Sequence, residues 1–182
     1  MSSEVDAKGC REASLGDAEA IAALHADSWR RNYRGAYRDA YLDGEVFADR
    51  RSVWSDRLSR PQANHHTIVF DPEGHLLGFA HVILDEDPTW GALVDNLHVA
   101  HDRKGEGVGT RLMAEAARVV LGSSPPTGIY LWVLEQNQAA QAFYRARGGT
   151  CVGQKLGGPF PGGGTAPALR YAWTEPTRLI VC

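Results

Sequence analysis

Apolar positions recur along this chain with two periods, and the switches between them mark out its elements. Over 17–33, Ile21, Leu24, Ser28 and Trp29 recur at helical spacing, and Asp17 is placed to cap the first turn. A second helix is predicted over 45–59, with Pro61 following it. HTIVFD (66–71) and LLGFAHVILD (76–85) read as two strands of a hairpin about the turn residues Pro72, Glu73 and Gly74, and WGALVDNLHVA (90–100) reads as a third strand. Val108, Leu112, Ala116 and Val120 spell one face of a helix that runs to about Leu121. IYLWVL (129–134) is apolar on both faces, the pattern of a strand covered on both sides. QAAQAFYRAR (138–147) is a helix stopped by Gly148 and Gly149. On it Asn137, Ala140, Gln141 and Tyr144 share one face, while Ala139, Phe143 and Ala146 are set to meet the core. TCVGQKL (150–156) and APALRYAWT (166–174) close as a strand pair, and GGPFPGGGT (157–165) between them reads as a mobile connection outside the core. The order is helices, an antiparallel meander, then strand–helix–strand–helix–strands. It predicts an α/β (α+β) fold, with a mixed sheet of six or seven strands flanked by about four helices.

Composition narrows the classes. A length of 182 residues, without internal repeat or interior linker, suits one domain over 1–182. The formal net charge of −3 gives no footprint for nucleic acid or an anionic membrane surface. No apolar run is long enough to span a bilayer, and the polar start MSSEVDAKGCRE lacks the apolar segment of a secretory signal, so a cytoplasmic location is expected. Cys10, Cys151 and Cys182 are widely spaced and are expected as reduced thiols. His65, His66, His75 and His81 lack metal-ligand spacing, so no metal is expected, and His25 reads as solvated.

The chemistry concentrates in HVAHDRKGEGVGTRLM (98–113). Gly105, Gly107 and Gly109 stand between a strand and a helix, where unpaired backbone N–H groups converge and a phosphate can bind. Glycine permits close approach and positive φ, and Arg103 and Lys104 add positive charge. A Walker A loop is excluded, because G-x-x-x-x-G-K-[ST] is absent. The dinucleotide fingerprint is excluded too, because Thr110 stands where its third glycine belongs. A glycine-rich turn without a ligand stays open on spacing alone.

A second stretch, NQAAQAFYRARGG (137–149), decides between them. Lys104-Gly105-Glu106-Gly107-Val108-Gly109 resembles the [QR]-x-x-G-x-[GA] pyrophosphate signature of the GNAT superfamily of acyl-CoA-dependent N-acetyltransferases. The preceding LHV (97–99) resembles that family's L-x-V strand, and 137–148 resembles its N-x-x-A-x-x-[FL]-Y-x-x-x-G helix. SWRRNYRGAY (28–37) is similar to a W-R-x-x-Y-x-G pattern of many small bacterial members. Three departures stand out: Lys104 replaces the usual Arg or Gln, His101 a frequent proline, and Leu93 the glutamate base of the histone-modifying branch.

The resemblance implies the GNAT fold, acetyl-CoA as co-substrate without a metal, and direct acetyl transfer to a primary amine. It places the pyrophosphate on residues 105–110, namely Gly105, Glu106, Gly107, Val108, Gly109 and Thr110, beside Lys104. The pantetheine arm would run along Leu97, His98 and Val99, with the Val99 N–H facing the thioester oxygen. Asn137 would hold the arm, and Tyr144 would protonate the departing thiolate. Asp95 is either the base or a structural partner for an arginine; His98 and a water relay are the other candidate bases. Asp85, Glu86 and Asp87 with Trp90, facing Trp29, Tyr33, Tyr37 and Trp54, suggest a small cationic amine, with Trp29, Tyr33, Asp85 and Glu86 as its contacts. A solvated acidic turn is the plainer reading of that tract. The alternatives are a protein N-terminal acetyltransferase, taking a peptide N-terminus, and a non-catalytic acyl-CoA-binding protein of the same fold. A homodimer is left open.

Overall fold

A computed structural model describes residues 8–181 except 124 and 126. Its elements are β1 (Cys10–Glu12), α1 (Ala18–Asn32), α2 (Asp39–Asp43), α3 (Val46–Ser59), β2 (His65–Phe70), β3 (Gly78–Asp87), β4 (Gly91–Val99), α4 (Val108–Leu121), β5 (Ile129–Leu134), α5 (Gln138–Ala146), β6 (Thr150–Gly157) and β7 (Ala166–Trp173). The strands form one sheet in the order β1-β2-β3-β4-β5-β7-β6. Every neighbouring pair is antiparallel except β4 and β5. This is the expected mixed sheet at its seven-strand size, with five helices rather than about four. The two elements not foreseen, β1 and α2, have three and five residues, too few to show a period.

The amphipathic α4 explains one layer. Val108, Leu112, Ala116 and Val120 are all buried and pack against Ile68, Ala80, Val82, Val94, Leu131 and Val133 from the sheet. Gln141 and Tyr144 are the buried residues of α5; Ala139 and Ala146, expected in the core, are exposed, and Ala140 and Phe143 are half-buried. The helix docks on the face that follows from its cap, where Asn137 Oδ1 accepts from the Ala140 N–H at 3.2 Å. Asp17 does not cap α1 through its side chain; it pairs with Arg11 at 2.8 Å and accepts from the Ser14 N–H.

On the other face, α1 and α3 pack on each other, burying Ile21, Ala22 and Trp54 against Val69 and Phe79. His25 sits in this layer, only 1% exposed, and its Nδ1 accepts from Trp54 Nε1–H at 3.0 Å. The expectation of a solvated His25 is thereby corrected: its i, i+4 register with Ile21 and Trp29 turns it inward. The connection 157–165 is corrected as well. Phe160 stacks on Tyr37 with centroids 4.5 Å apart, and a Cβ at Gly162 would lie 2.4 Å from Tyr41 Cβ. Its glycines let the backbone seat against the 36–41 segment. Cys10 and Cys151 are not in disulfides; Cys182 lies outside the described residues. No described helix is long and apolar enough to cross a membrane.

Strand β4 carries a bulge. Val94 pairs with Val82 and Asn96 with His81, which leaves Asp95 without a partner. The extra residue shifts the alternation, so Leu97 and Val99 share the α4 layer with Ala92 and Val94. The strict period that would put Asp95 on one face with Leu97 and Val99 therefore does not hold.

Three buried imidazoles make this layer acid-sensitive. Burial holds His25 well below the ordinary 6.5. Burial first, and then Arg57 and Lys104 respectively, bring His81 and His98 down to about 3. The unfolded chain takes up protons at these groups below about pH 6.5, and the folded chain does not until far lower. Stability is complete above that value and falls as pH drops through the window. Between pH 7 and pH 5 each imidazole is expected to cost up to about 2 kcal/mol. Urea denaturation at the two values checks this; equal or greater stability at pH 5 would contradict it.

Candidate active site

Strands β4 and β5 pair only at Ala92 with Ile129 and Leu93 with Tyr130. Past those residues they part, and a cleft of about 410 Å³ passes between them. Its walls are the start of α4 and the face of α5 on one side, and Ser28 and Asn32 of α1 with Tyr33 just past its end on the other.

The parting leaves backbone groups unpaired in a definite pattern. The Ala100 N–H donates to the Leu77 carbonyl at 2.8 Å, which makes the flanking pair Gly78–Val99 a non-hydrogen-bonded one. The N–H and C=O of Val99, and by alternation of Leu97, therefore point away from β3 into the cleft. Parallel pairing with β5 would have used them.

At one end of the cleft the chain turns into α4. Gly105 and Gly107 have φ of 88° and 80°, the left-handed region that favours glycine. Nothing lies within 4 Å of where a Cβ of Gly105 would stand, so this side is open. A Cβ at Gly109 would come 3.2 Å from Phe143 Cζ; glycine there lets α5 approach. The first N–H groups of α4 have no acceptor within the helix. Lys104, Arg103 and Arg147 line the same end, and Arg147 donates to Thr110 Oγ1 from Nε at 3.0 Å and from Nη2 at 2.6 Å. The result is a ring of cations and free N–H donors suited to a phosphate-bearing ligand.

Most of the expected site residues meet here: Asp95, Leu97, His98, Val99, Lys104, Gly105, Gly107, Val108, Gly109, Thr110, Asn137, Tyr144 and Tyr33 all line the cleft. Glu106 does not; its N–H donates back to the Arg103 carbonyl, and its side chain turns toward the Arg103 guanidinium at 3.7 Å. Trp29 lies beneath the wall, with the Arg50 guanidinium 4.4 Å from its ring centroid. Asp85 and Glu86 stand at the far end of β3, outside the cleft. Asp87 is consumed locally, accepting from the Thr89 and Trp90 N–H groups. Asp85 and Glu86 are exposed at the end of β3. Arg147, Ser28, Asn32 and Trp132 line the cleft without having been singled out; Arg147 lay inside the motif, and the others carried no local signal.

The electrostatics divide the polar groups. Tyr144 is buried against Tyr171 and Trp173, and its hydroxyl makes no hydrogen bond among the described residues. Burial, with Tyr33 adding to it, raises its pKa above the ordinary phenol value. Half-buried Tyr33 is pushed up to about 12 by burial and by the Asp95 carboxylate. Both phenols are thus proton donors at neutral pH. Asp95 has the arginine partner that was one of its two readings: Arg57 Nη2 donates to Oδ2 at 3.0 Å, as does Asn96 Nδ2 at 2.7 Å. His98 is hydrogen-bonded to Ser28 Oγ at 2.8 Å and stacked near His25, and with a pKa of about 3 it is neutral. Among the described residues no group of three or more His, Cys, Asp or Glu could hold a metal ion.

Residues 21–148 match the model of the acetyltransferase (GNAT) family. The chain is 28% identical over 138 residues to the uncharacterized N-acetyltransferase YuaI of Bacillus subtilis (strain 168), covering 75% of this chain and 76% of that one. Among solved structures it is similar to the PaiA N-acetyltransferase of Thermoplasma acidophilum in complex with coenzyme A, with a TM-score of 0.68 at 17% identity over 90% of this chain and 98% of that one. It is also similar to a mutant of the spermidine N-acetyltransferase SpeG of Vibrio cholerae, with a TM-score of 0.67 at 19% identity over 93% and 95%. A third likeness is to Arabidopsis thaliana NAA60 in complex with a bisubstrate analogue, with a TM-score of 0.65 at 16% identity over 90% and 95%. At these identities the structures establish the shared fold.

Proposed function

The chain belongs to the acetyltransferase (GNAT) family, and from that premise we propose that it carries acetyl groups from acetyl-CoA to a primary amine by direct transfer across the opening between β4 and β5. The observation that carries this reading is the backbone of Leu97 and Val99, which offers its N–H and C=O groups to the cleft with no strand opposite. A pantetheine arm has amides of its own and can take the place of the missing strand. The pyrophosphate then falls at the glycine turn, among the free N–H groups of α4, Lys104 and Arg147. The thioester carbonyl lies toward Val99, whose N–H is placed to stabilise the oxyanion as the amine attacks.

The amine enters from the α1 side, past Tyr33, and its lone pair bonds to the carbonyl carbon. As the tetrahedral intermediate collapses, the carbon–sulfur bond breaks and the thiolate takes a proton from the Tyr144 hydroxyl. Tyr144 is placed for this role by its position on the cleft wall, and it is protonated at neutral pH. The ammonium proton has no protein base in this reading. His98 is too weak, and Asp95 would have to give up its pair with Arg57. Solvent entering the cleft takes that proton and returns one to the Tyr144 phenolate. A small cationic amine, the acceptor suggested by Asp85 and Glu86, loses its support, because neither carboxylate reaches the cleft.

Two substitutions test the reading. Gly107→Asp puts bulk, negative charge and an unfavourable φ where the pyrophosphate sits. Calorimetric titration is expected to show acetyl-CoA binding lost in a folded variant; unchanged affinity would refute the phosphate assignment. Tyr144→Phe keeps the ring and removes the proton. Turnover, read as free thiol released, is expected to fall roughly a hundredfold or more with little change in acetyl-CoA affinity. Wild-type turnover in this variant would show the hydroxyl to be structural.

A further inference from the structure

On the α1 side of the sheet, beyond the part that α1 and α3 cover, β5 presents Tyr130 and Trp132, and β7 presents Arg170 directly opposite Trp132. The Arg170 guanidinium carbon lies 4.6 Å from the Trp132 centroid, 5.2 Å from that of Tyr130 and 5.6 Å from that of Trp90. Lys155 of β6 puts its Nζ 4.0 Å from the Trp132 centroid. Two cations thus share one indole. Aromatic faces attract each cation, but they do not neutralise the repulsion between the two.

Asp87, Glu86 and Asp95 are near enough to act on Tyr130, but they leave the two cations loosely paired. Asp87 is the one acid in an ion pair with Arg170 among the described residues: its Oδ2 lies 3.8 Å from the guanidinium, while Oδ1 is tied to the Thr89 and Trp90 N–H groups. Lys155 has no ion pair among the described residues. Arg170 Nε is buried without an acceptor, an unusual state for a guanidinium nitrogen. Lys155 is half in solvent and still has its pKa lowered, by burial and by Arg170. Trp132, the ring that both cations touch, lines the cleft where the amine is proposed to enter.

We propose that Arg170 and Lys155 bind an anionic group on the acceptor, so that the substrate is an amine that also carries a carboxylate or a phosphate. This rests on the transferase reading above. One arm of the acceptor brings the amine to the opening between β4 and β5. The other crosses Trp132 to the two cations, a path of one to two strand spacings, roughly 5–10 Å. A guanidinium and an ammonium on one anion supply the charge-assisted bonds that Asp87 leaves unmade. An acceptor with a second ammonium in that place would meet two like charges.

Matched amines test this. Thiol release from acetyl-CoA is measured with 4-aminobutyrate, butylamine and 1,4-diaminobutane, and with phosphoethanolamine against ethanolamine. The carboxylate and phosphate members are expected to show kcat/KM at least about tenfold above their neutral partners, and further above the diamine. The better of the two identifies the anion. In Lys155→Met, on an exposed edge strand, and in Arg170→Met the ratio is expected to shrink below about threefold, with Arg170→Lys retaining part of it. Neutral or dicationic amines that equal or lead the anionic ones would overturn the proposal, as would a ratio unmoved in both Met variants. Should no amine release thiol, the transferase reading fails separately. The anion site is then read by calorimetric titration of phosphoethanolamine into the CoA-saturated protein: heat that is lost in Lys155→Met supports the site, and no heat in the wild type overturns it.

Discussion

Everything in the cleft depends on how briefly β4 and β5 touch. Two residue pairs join the β1–β4 half of the sheet to the β5–β7–β6 half, and then the strands diverge. A sheet normally consumes the donors and acceptors of its central strands, because a buried unpaired backbone group costs as much as a lost hydrogen bond. Here the central strands leave theirs open to the cleft, and in the function proposed a ligand pairs with them there. The bulge at Asp95 lies two residues past the last β4–β5 pair. Bulges bend a strand and increase its twist, so this one accounts for β4 leaving its neighbour.

The layers on either side follow from the opening. On one side α4 and α5 stand over the parted strands and present N–H donors, Arg147 and Tyr144 to them. On the other, α1 brings Ser28 against His98 and Tyr33 toward Asp95. The α1–α3 layer adds hydrogen-bonded aromatic rings and neutral imidazoles to its aliphatic side chains: Trp54 bonds His25, the His25 ring lies 4.5 Å from that of His98, and His81 is bonded to Thr67 at 2.8 Å. Hydrogen bonds orient Trp54, His25, His81 and His98 in it, and the last of these ties the cleft wall at Ser28 to β4.

Local signals were legible in the sequence where one segment carries all of the physics. Strand β5 was expected over 129–134 and is found as Ile129–Leu134; the buried face of α4 is the one its spacing predicts; the glycines at 105 and 107 do occupy positive φ. What could not be read depends on partners far along the chain. Asp95 meets Arg57 across 38 positions, and nothing near Asp95 announces that ion pair or the bulge that turns it there. Asp85, Glu86 and Asp87 look like a charged lip, yet Asp87 bonds its own turn and pairs with Arg170, and the other two do not line the cleft. The glycine-rich connection 157–165 has the composition of a flexible link, but Tyr37 and Tyr41 give it a surface to pack on. Trp132 and Arg170 become neighbours only through strand pairing, so neither could stand out beforehand.

The central claim is that the ligand replaces the strand missing between β4 and β5. Backbone amide chemical shifts, followed as coenzyme A is added to isotope-labelled protein, test it most directly. The account predicts the largest changes at the N–H groups of Leu97, Val99 and residues 105–110, with the Leu97 and Val99 amides newly protected from hydrogen exchange. Changes confined to other strands, or Leu97 and Val99 amides that exchange as fast with coenzyme A as without it, would contradict it.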